Sequence, residues 1–373
     1  MEKDFYFMEK AILLSKKGEF TTSPNPNVGC IIVNKKKIVG KGWHQYAGSD
    51  HAEIIALKEA GNKAIHATMY ITLEPCTHFG LTPPCCEKII QSKIYKVVIG
   101  SIDPNPHVSG KGIILLQKQG IKVVVGVLEQ KIKKINCGFF KRMQKNIPFI
   151  RLKLGISLDG KIATKKGESK WITSKESREN VQYFRAKSCA ILTSYKTVLL
   201  DNPLLTIRKH FFYEKKINNY HKKKQPYKII IDNKNLVQLE HKCINPNGKV
   251  ILIKTKKDKK IWPKHVSQHF CPSKEKKNQI DLKKMLYFLG NKKINNILVE
   301  SGGVLSGMML QLNLVDELII YIAPIIIGNE GKSMCVLNNI VHLSESLHFS
   351  IVKTDFFGPD IRIIMQPKKQ NEY

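Results

Sequence analysis

A chain of 373 residues exceeds what one ordinary hydrophobic core holds, so two domains are expected. Its apolar fraction of 42% is that of a water-soluble globular protein, and the most apolar run, Leu318 to Ile327, is too short to span a bilayer and contains Pro324. The net charge of +32 rests almost wholly on lysine, with only six arginines, which reads as the surface bias of an AT-rich genome rather than a nucleic-acid footprint.

The chain opens Met1-Glu2-Lys3-Asp4-Phe5, with acids where the apolar stretch of a secretion signal would begin. Nine cysteines, an odd number scattered over a long chain, argue against a disulfide scaffold and for reduced thiols in a cytoplasm. Residues 4–17 carry Phe5, Met8 and Ile12 on one face, which predicts an amphipathic helix. Cys30-Ile31-Ile32-Val33 and Lys37-Ile38-Val39-Gly40 predict two short strands around a lysine-rich turn. A helix is expected over 51–60 with Asp50 or Ser49 as its N-cap, then a strand from Thr68 to Leu73 that delivers Glu74-Pro75-Cys76. A helix over 85–92, a strand over 96–100, a helix over 110–119 and a strand over 121–127 complete an alternation that implies a three-layer α/β/α sandwich.

The chemistry of this half lies in His51-Ala52-Glu53, Pro75-Cys76 and Pro83-Pro84-Cys85. One imidazole and two thiolates bind Zn²⁺ through three protein ligands and leave a fourth position for water, which is the layout of a catalytic site. His51 and Cys85 fall at predicted helix starts, where backbone N–H groups favour anions. Glu53, two residues past the histidine, is placed to shuttle protons in a hydrolytic deamination. A closed structural site with Cys86 or His78 as fourth ligand is the alternative. Eight residues separate Cys76 from Cys85, which departs from the Cys-x-x-Cys of nucleobase deaminases acting on nucleic acid.

The second half begins near Pro148, giving domains 1–146 and 147–373. Phe149 to Gly155 is a predicted strand, followed by Ser157-Leu158-Asp159-Gly160 and a loop ending at Ser169-Lys170-Trp171-Ile172-Thr173. A helix over 175–187, a strand over 189–193, a helix or loop over 195–201, and strands near 227–232 and 249–253 come next. Residues 209–225 are basic, aromatic and unpatterned, as a solvated insertion would be. Asn296-Ile297-Leu298-Val299-Glu300 reads as a buried strand, and Ser301-Gly302-Gly303 opens a helix near Val304. That glycine turn is a phosphate cradle or a plain strand-to-helix connection, and it lacks the Rossmann fingerprint. Four of the six arginines, Arg151, Arg178, Arg185 and Arg208, lie close together in sequence, as for a phosphate or carboxylate pocket, although structural ion pairs look the same.

Asn25-Pro26-Asn27-Val28-Gly29-Cys30, Gly48 to Glu53, Leu73-Glu74-Pro75-Cys76-Thr77-His78 and Thr82-Pro83-Pro84-Cys85-Cys86 together resemble the bifunctional deaminase/reductase family of riboflavin biosynthesis. The resemblance continues through Leu158-Asp159-Gly160, Trp171-Ile172-Thr173, Asp201-Asn202-Pro203, Val299 to Gly303 and Leu314-Val315-Asp316-Glu317. It implies a cytidine-deaminase-like domain followed by a dihydrofolate-reductase-like α/β domain that uses NADPH. His51, Cys76 and Cys85 would bind zinc, Glu53 would be the proton donor, and Asn27 would sit in the loop that meets the substrate. Gly155, Trp171, Thr197, Asp201 and the Gly302–Met308 loop (Gly302, Gly303, Val304, Leu305, Ser306, Gly307, Met308) would hold NADPH. Ser169, Arg185, Leu205, Arg208 and Glu300 would hold the phosphoribosyl substrate, and Lys153 is the candidate proton donor as hydride reaches C1′ of the opened ribose. The substrate implied is a diaminohydroxypyrimidine with a phosphoribosylamino group, deaminated to the 5-amino uracil and then reduced in its sugar. One position departs from the family: Leu81 stands where an arginine is usual.

Two other readings compete: an RNA deaminase with a basic second half, excluded by NADPH oxidation, and a zinc-stabilised binding module, in which Glu53→Gln would change nothing. The expected partners are small molecules, with neither nucleic acid nor membrane, in a homo-oligomer.

Overall fold

The computed structural model describes residues 2–77, 83–106, 108–208, 225–275, 277–338 and 340–368. Leu81, His78 and the basic stretch 209–224 lie outside the described residues. Two compact units form, one ending at Asn146 and the next beginning at Ile147.

In the first unit, helix α1 (Glu2–Ser15) precedes the strands β1 (Gly29–Asn34) and β2 (Lys37–Trp43), then α2 (Ala52–Ala60), β3 (Thr68–Leu73) and α3 (Cys85–Gln91). β4 (Lys96–Ser101), α4 (Lys111–Lys118) and β5 (Lys122–Val125) follow, and the unit closes with α5 (Glu129–Ile135) and α6 (Cys137–Lys145). Among the described residues the sheet runs β2-β1-β3-β4-β5, antiparallel at its β2 edge and parallel from β3 to β5. Alternation along β1 sends Ile31 and Val33 to one face, under Met8 and Ile12 of α1 and Ile132 of α5. Cys30 and Ile32 point to the other, against Ala52, Ala56 and Ala60 of α2 and Ile89 of α3. The stripe of alanines and the glycines of β2 bring α2 almost onto the sheet: a Cβ on Gly42 would stand 2.0 Å from the Ala52 carbonyl oxygen.

Several boundaries differ from expectation for local reasons. α2 starts one residue late, with His51 itself as N-cap and no side-chain cap. Asp50 instead pairs with Lys58 at 2.7 Å, and Ser49 Oγ donates to the Tyr46 carbonyl at 2.7 Å, so neither expected cap is available. β5 stops at Val125 because Gly126 turns the chain with φ 93°.

The second unit is built on a sheet of order β11-β10-β9-β8-β12-β6-β13-β16-β15 among the described residues. In chain order these strands and their helices are β6 (Phe149–Ser157), β7 (Lys161–Ala163), α7 (Lys175–Lys187), β8 (Ala190–Ser194), α8 (Tyr195–Asp201), β9 (Tyr227–Ile231), β10 (Val250–Lys254) and β11 (Val266–Phe270). Then come α9 (Leu282–Asn291), β12 (Asn296–Glu300), α10 (Gly303–Gln311), β13 (Glu317–Ala323), β14 (Lys332–Ser333), β15 (Phe349–Phe357) and β16 (Asp360–Pro367). Pairing is parallel from β11 to β13, and only β16 and β15 run antiparallel. Near-continuous apolar runs such as Ile297-Leu298-Val299 suit strands buried on both faces. Ile297 and Val299 pack with Met285, Leu289 and Met309 of α9 and α10, while Leu298 packs with Val181 and Phe184 of α7. β7 and β14 form a separate two-stranded pair beside the sheet. No helix among the described residues is long and apolar enough to cross a membrane.

Candidate active sites

In the first unit three backbone ends converge. The N-cap of α2 supplies His51, the segment after β3 supplies Cys76, and the first residue of α3 is Cys85. His51 Nδ1 lies 3.2 Å from Cys85 Sγ and 3.6 Å from Cys76 Sγ, the Cys85 amide lies 3.4 Å from Cys76 Sγ, and the three donor atoms fall within 4.8 Å of one another. The groups share protons unequally. Hydrogen bonding from Cys85 and then from His51 draws the Cys76 thiol down to about 4, while the Cys76 sulfur holds His51 up to about 9. One imidazole and two sulfurs, one already biased to thiolate, are a donor set that fits Zn²⁺ with one position left open. Cys86 is not a fourth ligand: its Sγ turns to the Pro75 carbonyl at 3.5 Å and the Gly112 carbonyl at 4.0 Å. Glu53 is buried beside the donors, and burial pushes its carboxyl up from the usual range.

His51, Cys76 and Glu53 face a cavity of about 240 Å³, together with Asn25, His44 and Asp103. None of these last three has metal-ligand spacing: Asn25 stands in the Asn25–Cys30 motif with no role assigned to it, and His44 and Asp103 sit in no motif. The His44 ring stands 5.5 Å from that of His51, and burial lowers its pKa to about 4, so it is neutral. Its Nδ1 faces the Asp50 carbonyl at 3.3 Å, which assigns the proton there and leaves Nε2 to accept from Asn25 Nδ2 at 3.0 Å. Burial holds Asp103 up to about 6. Glu74 is a buried brace: its two oxygens accept the amides of Asp103 at 3.2 Å, Gly110 at 3.0 Å and Gly112 at 2.9 Å. Asn27 does not face the cavity. Its side chain accepts from Thr22 at 2.7 Å and its amide donates to Asn136 at 2.7 Å, while its neighbours Asn25, Pro26 and Val28 line the wall.

In the second unit a cavity of about 850 Å³ opens at the carboxyl ends of the parallel strands, where open α/β sheets take their ligands. Lys153 on β6 and Glu300 on β12 are register partners there. Arg185 of α7 grips Glu300 with two bonds, Nε to Oε1 at 2.7 Å and Nη2 to Oε2 at 2.9 Å, and its Nη1 donates to the Thr206 carbonyl at 2.9 Å. Burial raises the Glu300 carboxyl, but the charges of Arg185 and Lys153 outweigh it and keep the group ionised. Burial lowers the Lys153 ammonium, against the pull of Glu300. Gly155, Ser169, Trp171, Thr197, Asp201, Leu205 and Arg208 line the same cavity, with Gly302, Gly303, Val304 and Leu305 at the start of α10. A Cβ on Gly302 would meet nothing within 4 Å, so the first amides of α10 stay open to a phosphate. Trp171, Leu200 and Val304 line the cavity although they are 65%, 67% and 50% exposed, an apolar surface suited to the flat rings of a dinucleotide.

Ser306, Gly307 and Met308 do not line it. Ser306 is fully buried, and a Cβ on Gly307 would fall 1.9 Å from the Val336 carbonyl oxygen, so this glycine admits the strap 332–336 onto α10. That strap is joined to β7 by β14, and Val336 N donates to the Gly303 carbonyl at 2.9 Å. It adds Lys332, Ser333 and Val336 to the cavity wall, and no local sequence signal marks it. The clustered arginines divide. Arg151 pairs with Glu317 at 2.7 Å as a buried strut, Arg185 pairs with Glu300, and Arg178 and Arg208 face the cavity.

A donor set for zinc beside a buried glutamate in one unit, and a strand-end cavity for a dinucleotide in the other, define a two-activity enzyme: a hydrolytic deaminase joined to a reductase. Two family profiles match accordingly, the cytidine and deoxycytidylate deaminase zinc-binding region over residues 1–101 and the RibD C-terminal domain over residues 148–363. The riboflavin biosynthesis protein RibD of Buchnera aphidicola subsp. Baizongia pistaciae is 50% identical over 97% of this chain and 98% of its own, and that of Escherichia coli K12 is 44% identical over 96% and 98%. The solved RibD of Acinetobacter baumannii, in its form 1, superposes with a TM-score of 0.89 at 36% identity, covering 99% of each chain. The chain belongs to the RibD family of riboflavin biosynthesis proteins, which join a zinc-dependent deaminase to an NADPH-dependent reductase.

Proposed function

We propose that the unit over 1–146 deaminates a diaminohydroxyphosphoribosylaminopyrimidine and that the unit over 147–373 reduces the ribosyl group of the product, 5-amino-6-(5-phosphoribosylamino)uracil, to ribityl. A solved diaminohydroxyphosphoribosylaminopyrimidine deaminase and 5-amino-6-(5-phosphoribosylamino)uracil reductase from Thermotoga maritima supports this, being 34% identical over 98% of this chain and 99% of its own, with a TM-score of 0.85. The observation that carries the reading is the convergence of His51, Cys76 and Cys85 within 4.8 Å beside buried Glu53.

His51, Cys76 and Cys85 would hold a zinc ion, which would supply Lewis-acid polarisation. Glu53 takes a proton from the attacking water at its carboxylate and gives it to the ring nitrogen, then carries the second water proton to the departing ammonia as the carbonyl forms. Its raised pKa suits both roles. The loop around Asn27 supports Asn25, which presents its carboxamide to the base.

In the second site Gly155, Trp171, Thr197, Asp201 and the start of α10 would hold NADPH, which would supply the hydride. Ser306, Gly307 and Met308 act from beneath by shaping that helix. Ser169, Leu205 and Arg208 hold the phosphoribosyl part, and Arg185 meets it with Glu300 as a pair. Lys153 gives its proton to the ring oxygen of the ribose as the bond from that oxygen to C1′ breaks and the hydride that NADPH would supply forms the new C1′–H bond, helped by the burial that lowers its pKa.

The partners in this reading are small molecules and not nucleic acid, in a cytoplasmic homo-oligomer. Self-association is supported by the edge strand β15, where Ile351 and Phe356 are 66% and 75% exposed. A coupled assay tests the whole: with Zn²⁺, the pyrimidine substrate yields ammonia, and NADPH is consumed only after deamination. Ammonia release without any NADPH oxidation by the deaminated product would defeat the second half of the reading.

A further inference from the structure

We propose that Arg178 is a positioning residue of the reductase: it holds the Trp171 indole as a fixed platform against which a flat ring of the dinucleotide stacks. This deepens the reading above and rests on its assignment of Trp171 to NADPH.

Trp171 is a large aromatic left 65% exposed inside a ligand-sized cavity, where nothing in the hydrophobic effect would keep it in place. Its backbone, by contrast, is tightly moored. Ser169 Oγ and Lys170 Nζ donate to Asp201 at 3.1 Å each. Ser174 N donates to Asp360 Oδ2 at 2.7 Å, and its Oγ donates to the Phe357 carbonyl at 3.0 Å while accepting from Ser177 N at 3.2 Å, which caps α7. The ring itself carries a cation on one face. α7 turns Arg178 back over it, with the guanidinium carbon 4.4 Å from the ring centroid. Arg178 Nη1 donates to the Thr173 carbonyl at 2.6 Å, which ties the guanidinium to the same segment that carries the tryptophan.

The chemistry follows from that sandwich. A planar cation on one face of an indole leaves the other face for a second flat group and restrains the ring before the ligand arrives. A restrained platform cuts the ordering cost of binding, so its loss appears in affinity and not in the chemical step. The cation also adds positive charge beside a ligand that carries several phosphates. A lysine keeps the charge but not the planar stack, which separates the two contributions.

The test uses the full chain loaded with zinc, and steady-state reduction with NADPH as the varied substrate. R178M is expected to raise KM for NADPH about five- to tenfold with kcat and the KM of the phosphoribosyl substrate nearly unchanged, and R178K to fall between. In a chain carrying W43F and W262F, the time-resolved anisotropy of Trp171 should decay faster once Arg178 is replaced. If W171A raises the NADPH KM but R178M and R178K both leave it within twofold, Arg178 is not a positioning residue. If W171A also leaves it unchanged, the assignment of Trp171 to the cofactor falls, and this inference with it. Should R178M lose its cooperative thermal transition, R178K alone decides: an unchanged NADPH KM overturns the proposal.

Discussion

The two cavities are assembled on different scales. The first takes its reacting groups from two helix starts and one strand end, so a short local motif at each place suffices. The second is more than three times larger, and its wall is gathered from β6, α7, α8, α10 and the distant strap 332–336. Chemistry concentrated on one carbon needs few residues in strict geometry. Recognition of a dinucleotide and a phosphorylated sugar needs area, which only many segments together provide.

The sharpest way to break this contrast is to disable one side. Cys76→Ala should abolish both zinc content and deamination, while reduction of the deaminated intermediate persists; equal loss of both activities would show that the sites are not separable. Glu53→Gln should keep the zinc, measured by metal analysis, and still lower deamination about 10²–10⁴-fold.

On the other side, Lys153→Met should lower kcat for reduction about 10²-fold with little change in either KM. Only the ammonium donates a proton, so the rate should fall as pH rises through the Lys153 pKa. Burial lowers that pKa, which places the falling limb below that of an ordinary lysine. A pH profile with no alkaline limb before the ordinary lysine range would remove Lys153 from this role. Arg208→Lys should raise the substrate KM about tenfold and spare NADPH, because an ammonium cannot grip phosphate in two places. The reverse pattern would exchange the ligand assigned to it.

The smallest effect should come from Gly307→Ala. The added methyl meets the Val336 backbone, and overpacking of this kind costs about 1–3 kcal/mol. Calorimetry should show the thermal transition of the second unit lowered and that of the first unmoved.

Much of the first site was legible because its residues are punctuated locally. His51-Ala52-Glu53 begins a helix, Pro75-Cys76 ends a strand, and Pro83-Pro84-Cys85 starts another helix. Strands Thr68–Leu73 and Asn296–Glu300 stand where the β-branched runs placed them. Less visible were α5, whose lysine-rich sequence carries few apolar anchors, and the hairpin of β15 and β16, where exposed Ile351 and Phe356 blur the alternation. Asp50 seemed a natural cap until Lys58, one helix length away, claimed its carboxylate. The arginine cluster carries two meanings that sequence distance cannot separate: Arg151 is a strut for Glu317, whereas Arg178, Arg185 and Arg208 all reach the cavity, Arg185 while paired with Glu300 and Arg178 while lying over Trp171. The strap was invisible for a different reason. Its traces are Gly303 and Gly307, where a Cβ would meet the Ser333 and Val336 carbonyl oxygens, and a glycine inside a helix does not say what presses against it.

Glu74 gives the first unit a property that no roster of ligands conveys. The carboxylate sits two residues before Cys76 and clasps the amides that lead into α4. The far wall of the pocket and the Cys76 segment therefore share one brace. A change that shifts the Gly110 or Gly112 amide would reach the Cys76 segment through Glu74, which couples the width of this pocket to the placement of its sulfur.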